Sequence, residues 1–309
     1  MVYMRILVIG GGGQLGTKIV EQAKDRFEVY ATYLTRKPPL EESKTFPIDK
    51  TNRDDVLALF RKLKPEAVID TGALHNVDYC ETHKDEAWKA NVEGTRNVAE
   101  TCKNHGTKMV FISTDYVFDG VKGNYREDDD ANPVNYYGLT KLEAEKLVAQ
   151  TCSNYVIARP SVIYSYVPST QRESSSGKPL NFAMWLTKKL GSKESVKIVT
   201  DQYSSPTLAD NLAEILLKLV ESKESGIYHT AGRTRLSRYE LAVKIAQKLN
   251  LDRGLVTPIT TDQLTQVAKR PMDSSLNVEK IEKDLNLRMP TVDEALDRFS
   301  EQFLSGENL

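Results

Sequence analysis

The 309-residue sequence predicts an α/β fold, a doubly wound parallel sheet joined to a smaller mixed α/β C-terminal part. Three observations carry this. Short β-branched runs alternate with stretches of helical spacing as far as Arg159. Runs such as "ILVI", "MVFI" and "YVIA" are apolar throughout, as strands covered by helices on both faces are. Four consecutive glycines, Gly10 to Gly13, stand where the first strand meets the first helix.

In chain order, "RILVIG" is the first strand and 14–24 its helix. "FEVYATY", a loop and "FPID" lead to a helix over 53–63, and "AVIDTGA" leads to one over 83–104. "KMVFIS", a helix over 137–151 and "NYVIAR" complete the alternation. The Ser-rich "SYVPSTQRESSSGKPL" that follows has no period and reads as a long loop. Helical pattern resumes at 181–191, 207–221, 238–249, 278–285 and 292–304, with only "VKIVT" and "GIYHTAG" strand-like between them. A smaller second domain is expected there.

Net charge is −1, from 42 basic and 43 acidic residues, so no global field favours nucleic acid or an anionic membrane. No run of about eighteen apolar residues and no signal-like start is present. Cys80, Cys102 and Cys152 form neither a disulfide framework nor a zinc pattern, which fits a reducing cytoplasm. The four histidines lack metal-pair spacing, and "EDDD" at 127–130 reads as a solvated turn, so no metal is expected.

The glycine run fits two spacings, Gly11-x-Gly13-x-x-Gly16 and Gly10-x-x-Gly13-x-x-Gly16. In either, one glycine makes the tight turn, Gly13 admits a pyrophosphate to the backbone, and Gly16 lets helix and strand pack closely. The helix start, at Gln14 and Leu15, offers N–H groups and a positive dipole end to phosphates. An NAD site usually carries an acid about twenty residues on, whereas a 2′-phosphate favours Arg. Here "YATYLTRKP" ends without an acid and offers Thr35, Arg36 and Lys37, which points to NADPH.

Tyr137 and Lys141 are four apart and share a helical face. An ammonium beside a phenol stabilises phenolate, so the pair can serve as a proton donor to a carbonyl. Tyr136 has only Thr140 at the same spacing.

With "GGGGQLG", "VDYCE", "STDYVFDG", "NYYGLTKLEAE", "NFAMWL", "DQYSSPT" and "RPMDSSL", the chain resembles the extended short-chain dehydrogenase/reductase superfamily and, within it, the dTDP-4-dehydrorhamnose reductase family. The resemblance implies a Rossmann domain over 1–165 with 207–232, interleaved with a substrate domain over 166–206 with 233–309. It implies a catalytic trio of Thr114, Tyr137 and Lys141, with Asp49 near the adenine and Thr71, Gly72, Ala73 and Leu74 along the cofactor. It further implies Val117, Phe118, Asn181, Gln202, Thr207 and Arg270 at a nucleotide-sugar substrate, Arg270 on its diphosphate, and a possible homodimer. Ser165 stands where the family commonly has glycine, and "DTGALHN" departs from its alanine-rich run. The competing expectations are an NAD-recycling epimerase or dehydratase, and a non-catalytic binding subunit like that of methionine adenosyltransferase.

Overall fold

The computed structural model describes residues 3–168 and 181–307; the Ser-rich loop expected over 165–180 lies mostly outside them. The chain runs β1 (Arg5–Ile9), α1 (Gln14–Ala23), β2 (Glu28–Tyr33), β3 (Thr45–Pro47), α2 (Arg53–Leu63) and β4 (Ala67–Asp70). Then follow α3 (Val77–Thr82), α4 (Lys84–Trp88), α5 (Gly94–His105), β5 (Lys108–Ile112), α6 (Tyr136–Thr151) and β6 (Tyr155–Arg159). The remainder is β7 (Ile163–Tyr164), α7 (Phe182–Gly191), β8 (Val196–Val199), β9 (Tyr203–Ser204), β10 (Thr207–Leu208) and α8 (Ala209–Glu221). It ends with β11 (Gly226–His229), β12 (Leu236–Ser237), α9 (Arg238–Lys248), β13 (Val256–Ile259), α10 (Glu279–Asp284) and α11 (Val292–Glu307).

Among the described residues the main sheet has seven parallel strands in the order β11-β6-β5-β4-β1-β2-β3. The doubly wound parallel sheet of the sequence reading is thus observed. Strand periodicity divides its two faces. Ile6, Val8, Ala67, Ile69, Val110 and Ile112 pack with α1 and α8, whereas Leu7, Val68, Met109 and Phe111 pack with α2, α5 and α6. Chain direction across the sheet reverses between β1 and β4, and their carboxyl ends open the crevice where such sheets bind ligands.

A separate apolar cluster gathers Tyr164, Leu186, Leu208, Leu241, Ile245 and Phe299. The segment holding Leu276, Val278, Ile281 and Met289 instead joins the sheet's cluster with α8. Two expectations need correction. The helix expected over 83–104 begins at Val77 and is broken into α3, α4 and α5, with a π-helical turn over Lys89–Glu93. That turn aims buried Asn91 at Leu74, whose N–H and carbonyl both bond its amide (2.8 and 3.0 Å). The two strand-like pieces expected late in the chain are joined by β13, which pairs with β8, and by the short β7, β9, β10 and β12.

Candidate active site

Gly10 leaves β1 with φ +78°, so it is the turn glycine, and a Cβ there would meet Thr71 Oγ1 at 2.9 Å. A Cβ on Gly16 would stand 2.2 Å from the Gly10 carbonyl oxygen, which is how α1 comes so close to β1. Gly13 meets only that same oxygen, at 3.2 Å, and leaves space over the backbone. Gly11 is constrained as well, since a Cβ there would lie 2.6 Å from the Ala31 Cβ, so both spacings have steric grounds. α1 starts at Gly13 with no side-chain cap and no acid in its first turn, so the dipole end faces the crevice without a protein anion. Leu15 is buried in the core, so only its backbone can serve a phosphate. These features fit a dinucleotide.

Arg36 is half-buried and its Nε donates to the Gly12 carbonyl at 2.6 Å, which ties the end of β2 to the glycine turn; Thr35 is exposed beside it. The Thr71 hydroxyl donates to the Ile9 carbonyl at 2.7 Å, and the Gly72 N–H donates to Asp70 at 3.0 Å. Ala73 and Leu74 continue this half-buried run along the crevice, Leu74 clamped by Asn91. Asp49 is exposed and accepts from the Thr51 N–H at 2.9 Å. Its neighbour Lys50 is buried against Asp70 (2.8 Å) and Thr95 (3.0 Å), a pair the sequence reading missed.

Thr114 ends β5. Its hydroxyl donates to Asp115 Oδ1 and accepts from the Tyr116 N–H, both at 3.2 Å. Asn135 starts α6 by accepting from the Gly138 N–H at 2.8 Å and donates to the Lys269 carbonyl at 2.9 Å. A Cβ on Gly138 would lie 2.1 Å from the Tyr116 carbonyl oxygen, so glycine lets the start of α6 settle on the turn after β5 and sets Tyr137 beside Thr114. Tyr136 turns elsewhere: the Lys84 ammonium lies 5.2 Å from its ring centre.

Burial and the Asp115 charge push the Tyr137 phenol up, and the nearby Thr114 hydroxyl acts in the opposite direction. Lys141 is 2% exposed, its ammonium 4.0 Å from the Phe111 ring centre. Burial and the Lys50 charge bring its pKa down to about 7, against Asp70 and Glu145. Desolvation acts on both groups, and the charge that chiefly moves the phenol is that of Asp115.

On the substrate side, Val117 and Phe118 are fully buried, Phe118 stacked on Tyr125 with ring centres 4.1 Å apart. Their side chains belong to the core, so only their backbone can face a substrate. Asn181 caps α7 through the Met184 N–H (3.1 Å) and donates to the Ser165 carbonyl (3.0 Å). Buried Thr207 donates to the Ser161 carbonyl at 2.7 Å, and Gln202 reaches Thr261 at 3.1 Å. Arg270 forms a two-pronged pair with Asp78 at 2.8 and 3.0 Å, so the cation expected on a diphosphate is held by a carboxylate. Asp78, Asn91, Asp115 and Asn135 were not singled out from sequence, because their roles depend on partners distant in the chain.

The chain matches the family model described as RmlD substrate binding domain over residues 4–305. It is 31% identical over 298 residues to a dTDP-4-dehydrorhamnose reductase of Aggregatibacter actinomycetemcomitans, covering 92% of this chain and 94% of that one. It is 30% identical over 285 residues to methionine adenosyltransferase 2 subunit beta of Xenopus laevis, covering 90% and 82%. A solved dTDP-4-dehydrorhamnose reductase from Bacillus anthracis in complex with NADP aligns with a TM-score of 0.86 at 29% identity, covering 99% of this chain and 100% of that one. Matched along nearly its whole length, this chain belongs to the RmlD substrate binding domain family, the family of the dTDP-4-dehydrorhamnose reductases.

Proposed function

We propose that this protein is an NADPH-dependent reductase of the C4 keto group of a nucleotide sugar, dTDP-4-dehydro-L-rhamnose, giving dTDP-L-rhamnose. The observation that carries this reading is the placement, along one carboxyl edge of the sheet, of an uncapped glycine turn with Arg36 beside it and of Thr114 next to Tyr137. The relatives named above support the substrate and cofactor.

NADPH, when bound, supplies a hydride equivalent to the carbonyl carbon. The Gly10–Gly16 turn and the start of α1 receive its diphosphate, Arg36 its 2′-phosphate, and the 71–74 run flanks it. Tyr137 gives the carbonyl oxygen its proton, and Thr114 hydrogen-bonds that same oxygen. The Lys141 ammonium, which has no hydrogen-bond partner among the described residues, is placed for ribose hydroxyls and for charge developing on Tyr137. The substrate domain is assigned to residues 166–206 with 233–309, and a cytoplasmic homodimer is the working form.

Incubation with NADPH and dTDP-4-dehydro-L-rhamnose, followed by mass spectrometry and assignment of the sugar's stereochemistry, tests the reading. Product is expected, with turnover down by about a hundredfold or more in Tyr137→Phe. Absence of product above that variant overturns it. NADPH should bind several-fold more tightly than NADH, and Arg36→Ala should narrow the gap. The match to methionine adenosyltransferase 2 subunit beta favours one other reading, a binding subunit, for which NADPH binding without turnover is the signature.

A further inference from the structure

The end of β4 carries a buried ion pair. Asp70 is 1% exposed, and its Oδ2 accepts from the Lys50 ammonium at 2.8 Å. Lys50 follows β3, and the sheet order puts β1 and β2 between β3 and β4, so its side chain reaches across the carboxyl end of the sheet. The start of α5 guides it there. The Asn97 amide donates to the Lys50 and Thr51 carbonyls at 3.0 and 3.1 Å, and Thr95 accepts from the Lys50 ammonium at 3.0 Å. A Cβ on Gly94 would stand 2.9 Å from Lys50 Cγ, so glycine at that position makes room for the stem.

Asp70 Oδ1 turns to the segment that follows β4 and accepts the Gly72 N–H at 3.0 Å. The same segment is tied at Thr71 to the Ile9 carbonyl and at Leu74 to Asn91. Its backbone is therefore pinned on both sides of Ala73 by bonds within the protein, and a segment ordered in advance costs less to order around a ligand. Lys50 matters because it fixes one oxygen of Asp70 and leaves the other for Gly72. Without that cation the carboxylate would be an uncompensated buried charge.

We propose that Asp70 is a positioning residue that presets Gly72, and with it the 71–74 run, for NADPH, and that Lys50 holds its carboxylate in that role. The proposal rests on the reading that this run flanks NADPH and deepens it, since part of the cofactor site is then built before the cofactor arrives. Neither side chain needs to touch the cofactor. A pair kept only for stability would make NADPH affinity follow the melting temperature. Here affinity follows whether residue 70 offers Gly72 an acceptor.

The test is NADPH titration and calorimetric melting of wild type, Lys50→Met, Lys50→Met/Asp70→Asn and Lys50→Met/Asp70→Leu. Both double variants remove the pair without stranding a charge, but only asparagine keeps an acceptor for the Gly72 N–H. Lys50→Met should melt lower and bind NADPH about fivefold more weakly, the worth of one hydrogen bond. Adding Asp70→Asn should restore both stability and affinity, whereas adding Asp70→Leu should restore stability alone. Unchanged affinity in a folded Lys50→Met, or equal affinity in the two double variants, overturns the proposal. The double variants carry the test if Lys50→Met does not fold. If the leucine variant does not fold either, residue-resolved amide exchange of Gly72 in cofactor-free wild type decides. Protection before NADPH is added is expected, and protection gained only with NADPH overturns the proposal. A wild type that binds no NADPH overturns the functional reading and this proposal with it, whereas the other outcomes bear on the Lys50–Asp70 pair alone.

Discussion

Lys141 is the side chain where burial and chemistry conflict most. Its ammonium has an aromatic face and no hydrogen-bond partner among the described residues, and its pKa falls to about 7. An unfolded lysine titrates near about 10.4, so between these values the unfolded chain binds the extra proton and stability rises with pH. Below the folded value both forms carry the proton and the burial penalty is complete. Lys141→Met should therefore raise the melting temperature of the ligand-free protein at about pH 6 and lose most of that gain by about pH 10. Equal gains at both pH values would show that Lys141 stays charged throughout. The Tyr137–Lys141 spacing was legible in sequence because helical periodicity alone brings residues four apart together. Asp115 was not, because one of its partners, Ser274, is 159 residues away and nothing local in "STDY" marks it.

At the scale of the element, the glycine turn separates a steric need from a ligand need. A Cβ on Gly12 would lie 1.6 Å from the Arg36 carbonyl oxygen, so Gly12→Ala must displace either the turn or the end of β2. A stability cost of about 1–3 kcal/mol is expected, together with loss of NADPH binding. Gly13 has φ −72° and meets nothing nearer than 3.2 Å, so Gly13→Ala should melt close to wild type and still bind NADPH poorly. Calorimetric melts and NADPH titration on both variants check the contrast; comparable destabilisation of the two would mean that Gly13 too is a packing glycine. The strands of the main sheet were legible because their apolar runs are continuous. β13 was not, since Pro258 interrupts it and Thr257 and Pro258 are exposed, leaving no alternation to see. The break in the helix expected over 83–104 escaped notice because the π turn answers to Leu74 and Thr140 rather than to its own periodicity.

For the whole molecule, the sequence carried the sheet half further than the C-terminal half, whose short paired strands draw their partners from far along the chain. What joins the halves at the crevice is a strap over residues 268–270. Arg270 grips Asp78 of α3 in two-pronged fashion, the Ala268 N–H bonds the same carboxylate at 3.0 Å, and Asn135 at the start of α6 bonds the Lys269 carbonyl. Arg270 holds the Asp78 carboxyl below its usual range, the mark of a charge-assisted pair. If Arg270 receives the substrate's diphosphate, that diphosphate competes with Asp78 for the same guanidinium. Asp78→Asn keeps the size and much of the hydrogen bonding while removing the competing charge, so dTDP should bind several-fold more tightly and Arg270→Ala several-fold more weakly, each read by titration calorimetry. Weaker dTDP binding in a folded Asp78→Asn would give the pair the opposite meaning: the carboxylate would then be orienting Arg270 for the ligand, and the strap would be a fixed wall of the crevice rather than a contact the substrate displaces.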